Sequence, residues 1–577
     1  MQEILHKLGI GVAGLLWLLP TADGSAPIPE DQVVRLKHEL LALATSVGPP
    51  TEKSPEAPAQ PVQTILASGD WDFSLEFATQ IGNEQSRANA LIAILGKASE
   101  LQDRNRAQTV LDRIANAAGE IGNDTARARV FADCAAAAAT LGDAARAHDL
   151  LARALHSASG ISDGASKARV LATLAETSAK LNEAGQAHAL LRQALNAADR
   201  ITDDATKALV FTRLATAAAK LGDAAQGRGL LVQAVQAADK MGDDLPKATV
   251  LGVVAQGTTK LGDPAQGRAV LENIIAATDN IGSDLGKARV LASVSAAATE
   301  LGDPAQGRAV LAEALKSANK IGTDFTKVRW LLVWLVEAEV KLGNAVQARD
   351  LAEQALRTAD IVDTDFARIR VLESVAGAAA KLSDSAQARA LLNRVLQETN
   401  KVADPSLKPR VLISVAQAAG KLGDPEQGRA LLDDVIATAE TGRGEAELAA
   451  LFLTLAETAA KLGDPAQAHA LLSRAAQETA GIGGEPAKAH AEVALAETAL
   501  RVGVRDQADA TLQAVATARR RFGAGVVADS DLVRAAAVAA SLGQWQWATA
   551  MADMLDNENA RLDALSRIFA ASLGEAS

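Results

Sequence analysis

Tyrosine is absent from this chain of 577 residues, cysteine occurs once, and aromatic residues make up only 3% of the sequence. A single cysteine excludes an internal disulfide and any cysteine-rich metal site. Because aromatic rings are scarce while 49% of the residues are apolar, the core must be aliphatic, and this composition favours helices. The formal charge of -12 argues against nonspecific binding to nucleic acid or anionic lipid, although it allows a local basic groove.

Only one apolar run stands out, "LGIGVAGLLWLL", which follows Lys7 and precedes the small residues "TADGSA". It is shorter than the roughly 20 residues of a membrane-spanning helix and has the arrangement of an export signal. We therefore predict a signal peptide over residues 1–26, cleaved after Gly24 or Ala26, and an exported protein that is periplasmic or secreted. An uncleaved anchor and a cytosolic protein stay as alternatives.

Residues 27–62 are predicted to form a short helix and a linker. The helix is expected over residues 31–46. The segment "PPTEKSPEAPAQP", residues 49–61, carries five prolines, which remove backbone donors and favour an extended, semi-rigid spacer.

The rest of the chain is periodic. The segment "KLGDPAQGRAVL" at 260–271 returns with small changes at 300–311, 421–432 and 461–472. A leucine or valine of this segment recurs every 40 residues, except for one step of 41, which is typical of a solenoid of packed helical units. The recurring residues are Leu101, Leu141, Leu181, Leu221, Leu261, Leu301, Leu342, Leu382, Leu422, Leu462, Val502 and Leu542.

The repeated segment is expected to end one helix and begin the next. Gly262 can adopt the left-handed conformation that ends a helix, Asp263 can cap the following helix, and Pro264 suits its first position. Gln266 stands where the partner of a capping box belongs. The second helix of the unit is expected to begin at Asp284, so that each period contains two helices of about sixteen residues.

These residues resemble the tetratricopeptide repeat family, and the resemblance covers roughly residues 65–555. It rests on the "LGD" turns, the pairs Leu174-Ala175, Leu214-Ala215 and Leu455-Ala456, and the small residues Ala187, Gly267, Gly307, Ala468, Ala194, Ala234, Ala314 and Ala475. The resemblance implies an all-α, right-handed α-solenoid of about a dozen antiparallel helical hairpins with a partner-binding concave surface. We assign the repeats to residues 63–504, and degenerate repeats with a C-terminal helical cap to residues 505–577.

No catalytic residue, cofactor or metal site is predicted. "GISDG", around Ser162, has the letters of a serine-hydrolase elbow but lies between two predicted helices, whereas that motif requires a preceding strand. His148, His188 and His469 occupy a position that is arginine in other repeats, which favours a solvated basic position over a ligand or catalytic base. Cys134 occupies a position that is leucine or valine elsewhere and is expected to be buried.

A basic column begins the first helix of most repeats, in "TARARVF", "SKARVLA", "GKARVLA", "ARIRVLE" and "LKPRVLI". Positive charge near a helix N-terminus opposes the helix dipole and therefore implies a compensating partner. One interpretation is a ladder of salt bridges to the preceding hairpin. The other is a basic stripe that binds carboxylates of a partner, as the resemblance suggests, formed by Arg129, Arg169, Arg289, Arg370 and Arg410.

One repeat departs from the others, because it holds the extra residue and two tryptophans, Trp330 and Trp334. Their spacing places both on one helix face. Packing around a bend and an aromatic anchor for a partner are both compatible with this pattern.

The sequence as a whole favours an exported, non-enzymatic scaffold that presents a helical-repeat surface to a peptide or protein partner in the cell envelope, without nucleic acid. An envelope enzyme or enzyme subunit with an unrecognised site, and a purely structural spacer, stay as alternatives. Oligomeric state is left open.

Overall fold

The computed structural model describes residues 28–45, 60–67, 69–101, 103–319, 352–353, 356, 364–382, 384–439, 443–522 and 526–573. Throughout these ranges the regular secondary structure is helical, which confirms the predicted all-α fold. In this part of the chain, no helix is long and apolar enough to cross a membrane.

The α-helices are α1 (Glu30–Ala44), α2 (Gln60–Ala67), α3 (Trp71–Gln80), α4 (Glu84–Ala98), α5 (Arg104–Gly119), α6 (Asp124–Thr140), α7 (Ala144–Ser159), α8 (Gly164–Lys180), α9 (Ala184–Ala198), α10 (Asp204–Lys220), α11 (Ala224–Asp239), α12 (Asp244–Thr258), α13 (Pro264–Ala277), α14 (Asp284–Glu300), α15 (Pro304–Asn319), α16 (Asp365–Ala379), α17 (Ser385–Asn400), α18 (Lys408–Lys421), α19 (Pro425–Thr438), α20 (Glu445–Lys461), α21 (Pro465–Gly481), α22 (Glu485–Val502), α23 (Arg505–Phe522), α24 (Asp529–Ser541), α25 (Trp545–Asp553) and α26 (Glu558–Leu573). A short 3-10 helix, Thr278–Asn280, extends α13.

The described residues fall into two compact units. In the unit formed between residues 95 and 431, consecutive helices pack as antiparallel hairpins, for example α6 with α7, α8 with α9 and α10 with α11. First helices of successive hairpins also pack on one another, in the order α6, α8, α10, α12 and α14. This arrangement is tetratricopeptide-like and confirms the predicted helical-hairpin repeat.

The joint within each hairpin follows the predicted chemistry in part. Gly302 has a φ of 77° and donates its N–H to Thr299 O at 2.9 Å, while Asp303 N–H donates to Ala298 O at 2.9 Å. The Asp303 carboxylate accepts from Gln306 N at 2.9 Å, so one residue pair ends a helix and caps the next.

The predicted capping box is wrong. Gln266 Oε1 and Gln306 Oε1 are buried and accept no hydrogen bond within the described chain, and the Asp303 N–H that a capping box would use is already donated to Ala298 O. Where the side-chain amide of a glutamine in this column donates, it reaches the preceding hairpin, as Gln467 Nε2 does to Asp433 Oδ1 at 2.7 Å. Gln186 Oε1 instead accepts from Ser178 Oγ of its own hairpin at 3.4 Å. These glutamine side chains therefore bond to neighbouring helices rather than capping their own helix.

Close packing in α11 gives a matched stability prediction. A Cβ built on Gly227 would lie 2.7 Å from Leu261 Cδ2 and 3.0 Å from Ala215 O, whereas one built on Gly229 would meet nothing within 4 Å. We expect Gly227→Ala to lower the free energy of unfolding by about 1–3 kcal/mol through overpacking. Gly229→Ala should raise it by about 0.5–1 kcal/mol, because alanine has the higher helix propensity. Urea unfolding of the two variants checks this, and equal shifts would contradict it.

In the other unit, formed by the described residues before 95 and after 431, the two most N-terminal described helices pack on the most C-terminal one. Helices α1 and α2 both contact α26, and the rings of Phe73 and Phe569 lie 4.8 Å apart. Lys37 Nζ lies 2.7 Å from Asp70 Oδ2, and Arg561 Nη2 lies 3.0 Å from Glu39 Oε2. The domain boundaries drawn from the sequence did not include this contact.

Helix α2 begins at Gln60, so the last residues of the segment predicted as a linker, up to Pro61, are helical. Proline is compatible with the first turn of a helix, because the N–H groups there have no intrahelical partner. The other domain boundaries stay predictions.

Candidate partner-binding site

Each described arginine of the predicted stripe lies on the first helix of a hairpin. Arg129 is on α6, Arg169 on α8, Arg289 on α14, Arg370 on α16 and Arg410 on α18. Trp330 and Trp334 lie outside the described residues, and their role stays a prediction.

The lysines that lie two residues before this position of the repeat have a separate, structural role. Lys167 Nζ donates to Ser159 O at 3.2 Å, Lys207 Nζ to Asp199 O at 3.1 Å, and Lys247 Nζ to Asp239 O at 2.9 Å. Each of these carbonyls lies at the end of the preceding second helix, where positive charge is favourable. The compensating partner of the lysines is therefore mainly backbone carbonyl oxygen, whereas the sequence analysis expected carboxylates.

Two arginines of the stripe form a salt-bridge ladder. Arg370 Nη1 lies 2.9 Å from Glu373 Oε2, and Arg410 Nε on the next hairpin lies 3.0 Å from Glu373 Oε1. One carboxylate thus joins two successive first helices, as the ladder interpretation expects.

The arginines of α6, α8 and α10 are arranged differently, and two of them, Arg129 and Arg213, interact with Asp133 of α6. Arg129 and Asp133 are one turn apart on α6, and both are half-buried. Burial lowers the pKa of Arg129, and repulsion from Arg169 and Arg213 lowers it further, while Asp133 acts in the opposite direction. We call Arg129, Arg169, Arg213 and Asp133 the arginine cluster.

The carboxylate of the cluster is held in an unfavourable environment. Burial raises the pKa of Asp133, and Arg129 and Arg213 oppose this increase. Arg213 Nη2 also donates to Thr173 Oγ1 at 3.3 Å across successive first helices. Glu176, further along α8, is bound to Lys220 at 2.7 Å. The cluster combines three guanidinium groups with one aspartate, an arrangement that can bind carboxylates.

Arg213 was not among the residues predicted from the sequence. The stripe was read at one position per repeat, and at that position α10 carries Leu209. Arg213 lies four residues later and therefore on the same helix face, which is the signal that could have identified it.

Cys134 follows Asp133 but belongs to the core. Its side chain is fully buried, and burial raises the pKa of its thiol. The prediction of a buried cysteine is confirmed, and the raised pKa argues against a reactive thiolate.

The first helices of the C-terminal hairpins contrast with the arginine cluster. Arg501 Nη2 lies 3.6 Å from Glu497 Oε2, and Arg534 Nε donates to Glu497 Oε1 at 2.7 Å. Asp531 accepts from Arg534 at 3.2 Å and lies 3.0 Å from His490 Nδ1. Basic and acidic groups alternate on these C-terminal helices. They therefore attract carboxylates less strongly than helices α6, α8 and α10 do.

No protein-family model matches the sequence, and no curated protein matches it either. Among solved structures, Ton1535 from Thermococcus onnurineus NA1 is similar at 16% identity, over 62% of this chain and 98% of that one, with a TM-score of 0.29. Yeast Tom70 is similar at 11% identity, over 86% and 97%, with a TM-score of 0.28. The signal transduction ATPase with a tetratricopeptide repeat sensor, PH0952 from Pyrococcus horikoshii, shows 13% identity, over 75% and 68%, with a TM-score of 0.23. Likenesses this distant add nothing to the functional argument, which depends on the hairpins and the arginine cluster.

Proposed function

We propose that this protein is a protein-interaction scaffold that binds an acidic peptide segment of its partner on the first helices α6, α8 and α10. The observation that carries the proposal is the arginine cluster, in which Arg129 interacts electrostatically with Arg169, Arg213 and Asp133, and Arg213 reaches Thr173 of the preceding first helix at 3.3 Å. Guanidinium groups on three successive helices suit an extended segment with several carboxylates, since each group can pair with a different side chain.

The overall negative charge of the chain restricts acidic partners to the arginine cluster. A chain with a formal charge of -12 repels most acidic macromolecules at long range, so an acidic partner is favoured only where basic residues are concentrated. Binding should also weaken as salt is added, because the arginines lie at or near the surface.

Binding of a blocked peptide of alternating glutamate and serine, followed by fluorescence anisotropy, tests the proposal. Arg169→Gln and Arg213→Gln should each weaken binding by about twofold to fivefold, as expected for partly exposed ion pairs. Asp133→Asn should strengthen binding by about twofold, because it removes a carboxylate that competes with the peptide.

Arg410→Gln is the matched control, since that guanidinium is on the same column but bound to Glu373. It should leave the affinity unchanged. If Arg410→Gln weakens binding as much as Arg213→Gln, or if glutamine in place of glutamate leaves the peptide's affinity unchanged, the arginine cluster is not the site.

The proposal extends to location, with residues 1–26 serving as a signal peptide and the partner located in the cell envelope. Its support is the sequence pattern around "LGIGVAGLLWLL". N-terminal sequencing of the protein recovered from an envelope fraction should show a chain that begins after Gly24 or Ala26, whereas recovery of the intact N-terminus from the cytosol would oppose export.

A further inference from the structure

Exposed apolar side chains occur on α10, which carries Arg213 of the arginine cluster, and on α12, which packs on α10. Leu209 on α10 is 43% exposed, and Leu245 and Val253 on α12 are 48% and 39% exposed. These are three of the six large apolar side chains that are exposed in the described part of the chain. We call Leu209, Leu245 and Val253 the apolar patch.

Two of the three patch residues, Leu209 and Val253, depart from the pattern of the repeat, whereas the position of Leu245 is also apolar in the neighbouring first helices. At the position of Leu209, the neighbouring first helices carry Arg169 and Thr249, and at the position of Val253 they carry Arg213 and Ser293. Every one of these alternatives is polar. An apolar side chain is therefore not required there by the hairpin fold, and its exposure calls for another explanation.

The register of the repeat places the patch next to the cluster. Leu209 and Arg213 share a face of α10 because they are four residues apart. Arg213 reaches Thr173, which lies 40 residues earlier on the preceding first helix, at 3.3 Å. Val253 lies 40 residues after Arg213, on the next first helix, and α10 packs directly on α12. Arg169, Arg213 and Val253 thus lie on three successive helices.

These positions define a spacing for the ligand. Packed helices are separated by about 8–10 Å, and a peptide in the extended polyproline II conformation advances about 3.1 Å per residue and presents every third side chain to the same side. One first helix therefore corresponds to about three peptide residues. A segment whose carboxylates pair with Arg169 and Arg213 would place a side chain about three residues further on against Val253 of α12, the helix that packs on α10 and its Leu209.

We infer that the apolar patch is a specificity subsite for an apolar side chain that follows the acidic residues of the partner segment at this spacing. This inference rests on the proposed function. The occupant is one extended protein segment in which two acidic residues are three positions apart. An aliphatic residue lies three positions beyond one of them, on either the N-terminal or the C-terminal side of the pair. The acidic residues supply the charge that complements the cluster, and the aliphatic residue covers the patch.

The experiment uses blocked serine nonapeptides of identical composition. In the first peptide, glutamates occupy the second and fifth positions and leucine occupies the eighth position. The second peptide has the same residues in the reverse order. In the third peptide, leucine lies directly beside a glutamate. We expect one of the first two to bind the full-length protein about threefold to tenfold more tightly than the third, because burial of one leucine side chain is only partial at such a surface. Leu209→Thr with Val253→Thr should abolish this preference.

The double variant is expected to fold, because both positions are exposed and polar residues occupy them in other repeats. If the three peptides bind equally while Arg213→Gln weakens all of them, the subsite is overturned and the proposed function stands. If the leucine preference persists in the Leu209→Thr, Val253→Thr variant, the subsite is also overturned. If no peptide binds, the proposed function fails as well.

Discussion

Replacement of Arg519 by methionine is expected to lower the free energy of unfolding by about 3–5 kcal/mol, as removal of one partner from a buried ionic network does. Arg519 is only 5% exposed, and it joins three segments. Its Nη1 donates to Val527 O at 2.8 Å, and its Nη2 donates to Met554 O at 2.7 Å and lies 3.4 Å from Asp529 Oδ1. Methionine fills much of the same space but leaves these oxygen atoms without a donor.

The neighbouring residue provides a matched control. Arg520 is exposed, and its guanidinium carbon lies 5.0 Å from the centroid of the Trp547 ring. Arg520→Met should therefore cost about 1 kcal/mol or less, the contribution of an exposed cation–π contact. Urea unfolding followed by tryptophan fluorescence distinguishes the two variants, since Trp545 and Trp547 lie on α25 beside this network. Equal midpoints for the two methionine variants would show that Arg519 does not hold these segments together.

Local chemistry explains why the repeat could be predicted from the sequence. Glycine in the left-handed conformation and aspartate at the N-cap act within a few residues, as the bonds around Gly302 and Asp303 show. The capping-box prediction for the glutamine of this segment was wrong because the N–H of the preceding aspartate has two possible partners, and at Asp303 the end of the preceding helix takes it. The contact of α1 and α2 with α26 joins residues more than 490 positions apart, and no local pattern encodes that pairing.

The sequence predicted which helices carry the candidate site but not which side chains form it. The sequence pointed to the first helices, where Arg129 and Arg169 indeed lie near one another. It could not distinguish Arg410, which is bound to Glu373, from Arg213, which interacts with Asp133. That distinction depends on which side chains of neighbouring hairpins meet, and the 40-residue period fixes the helices without fixing the partner of each side chain.

Replacement of Phe452 by alanine should lower the free energy of unfolding by about 3–5 kcal/mol, because it removes a large side chain from a well-packed interior. Phe452, on α20, is fully buried, and the Arg474 guanidinium carbon lies 4.4 Å from its ring centroid. In a chain with 3% aromatic residues, few other rings are available to fill the resulting space.

Phe452→Leu separates the need for volume from the need for a ring. Leu171, Leu251 and Leu291 occupy the same position in other repeats and are all buried. A hairpin of this kind therefore accepts leucine there, and we expect Phe452→Leu to cost only about 1 kcal/mol, as near-volume-conserving apolar exchanges do. Urea unfolding of both variants measures the difference. If leucine costs as much as alanine, the stacked arginine and the ring, rather than apolar volume, determine the stability of α20 against α21.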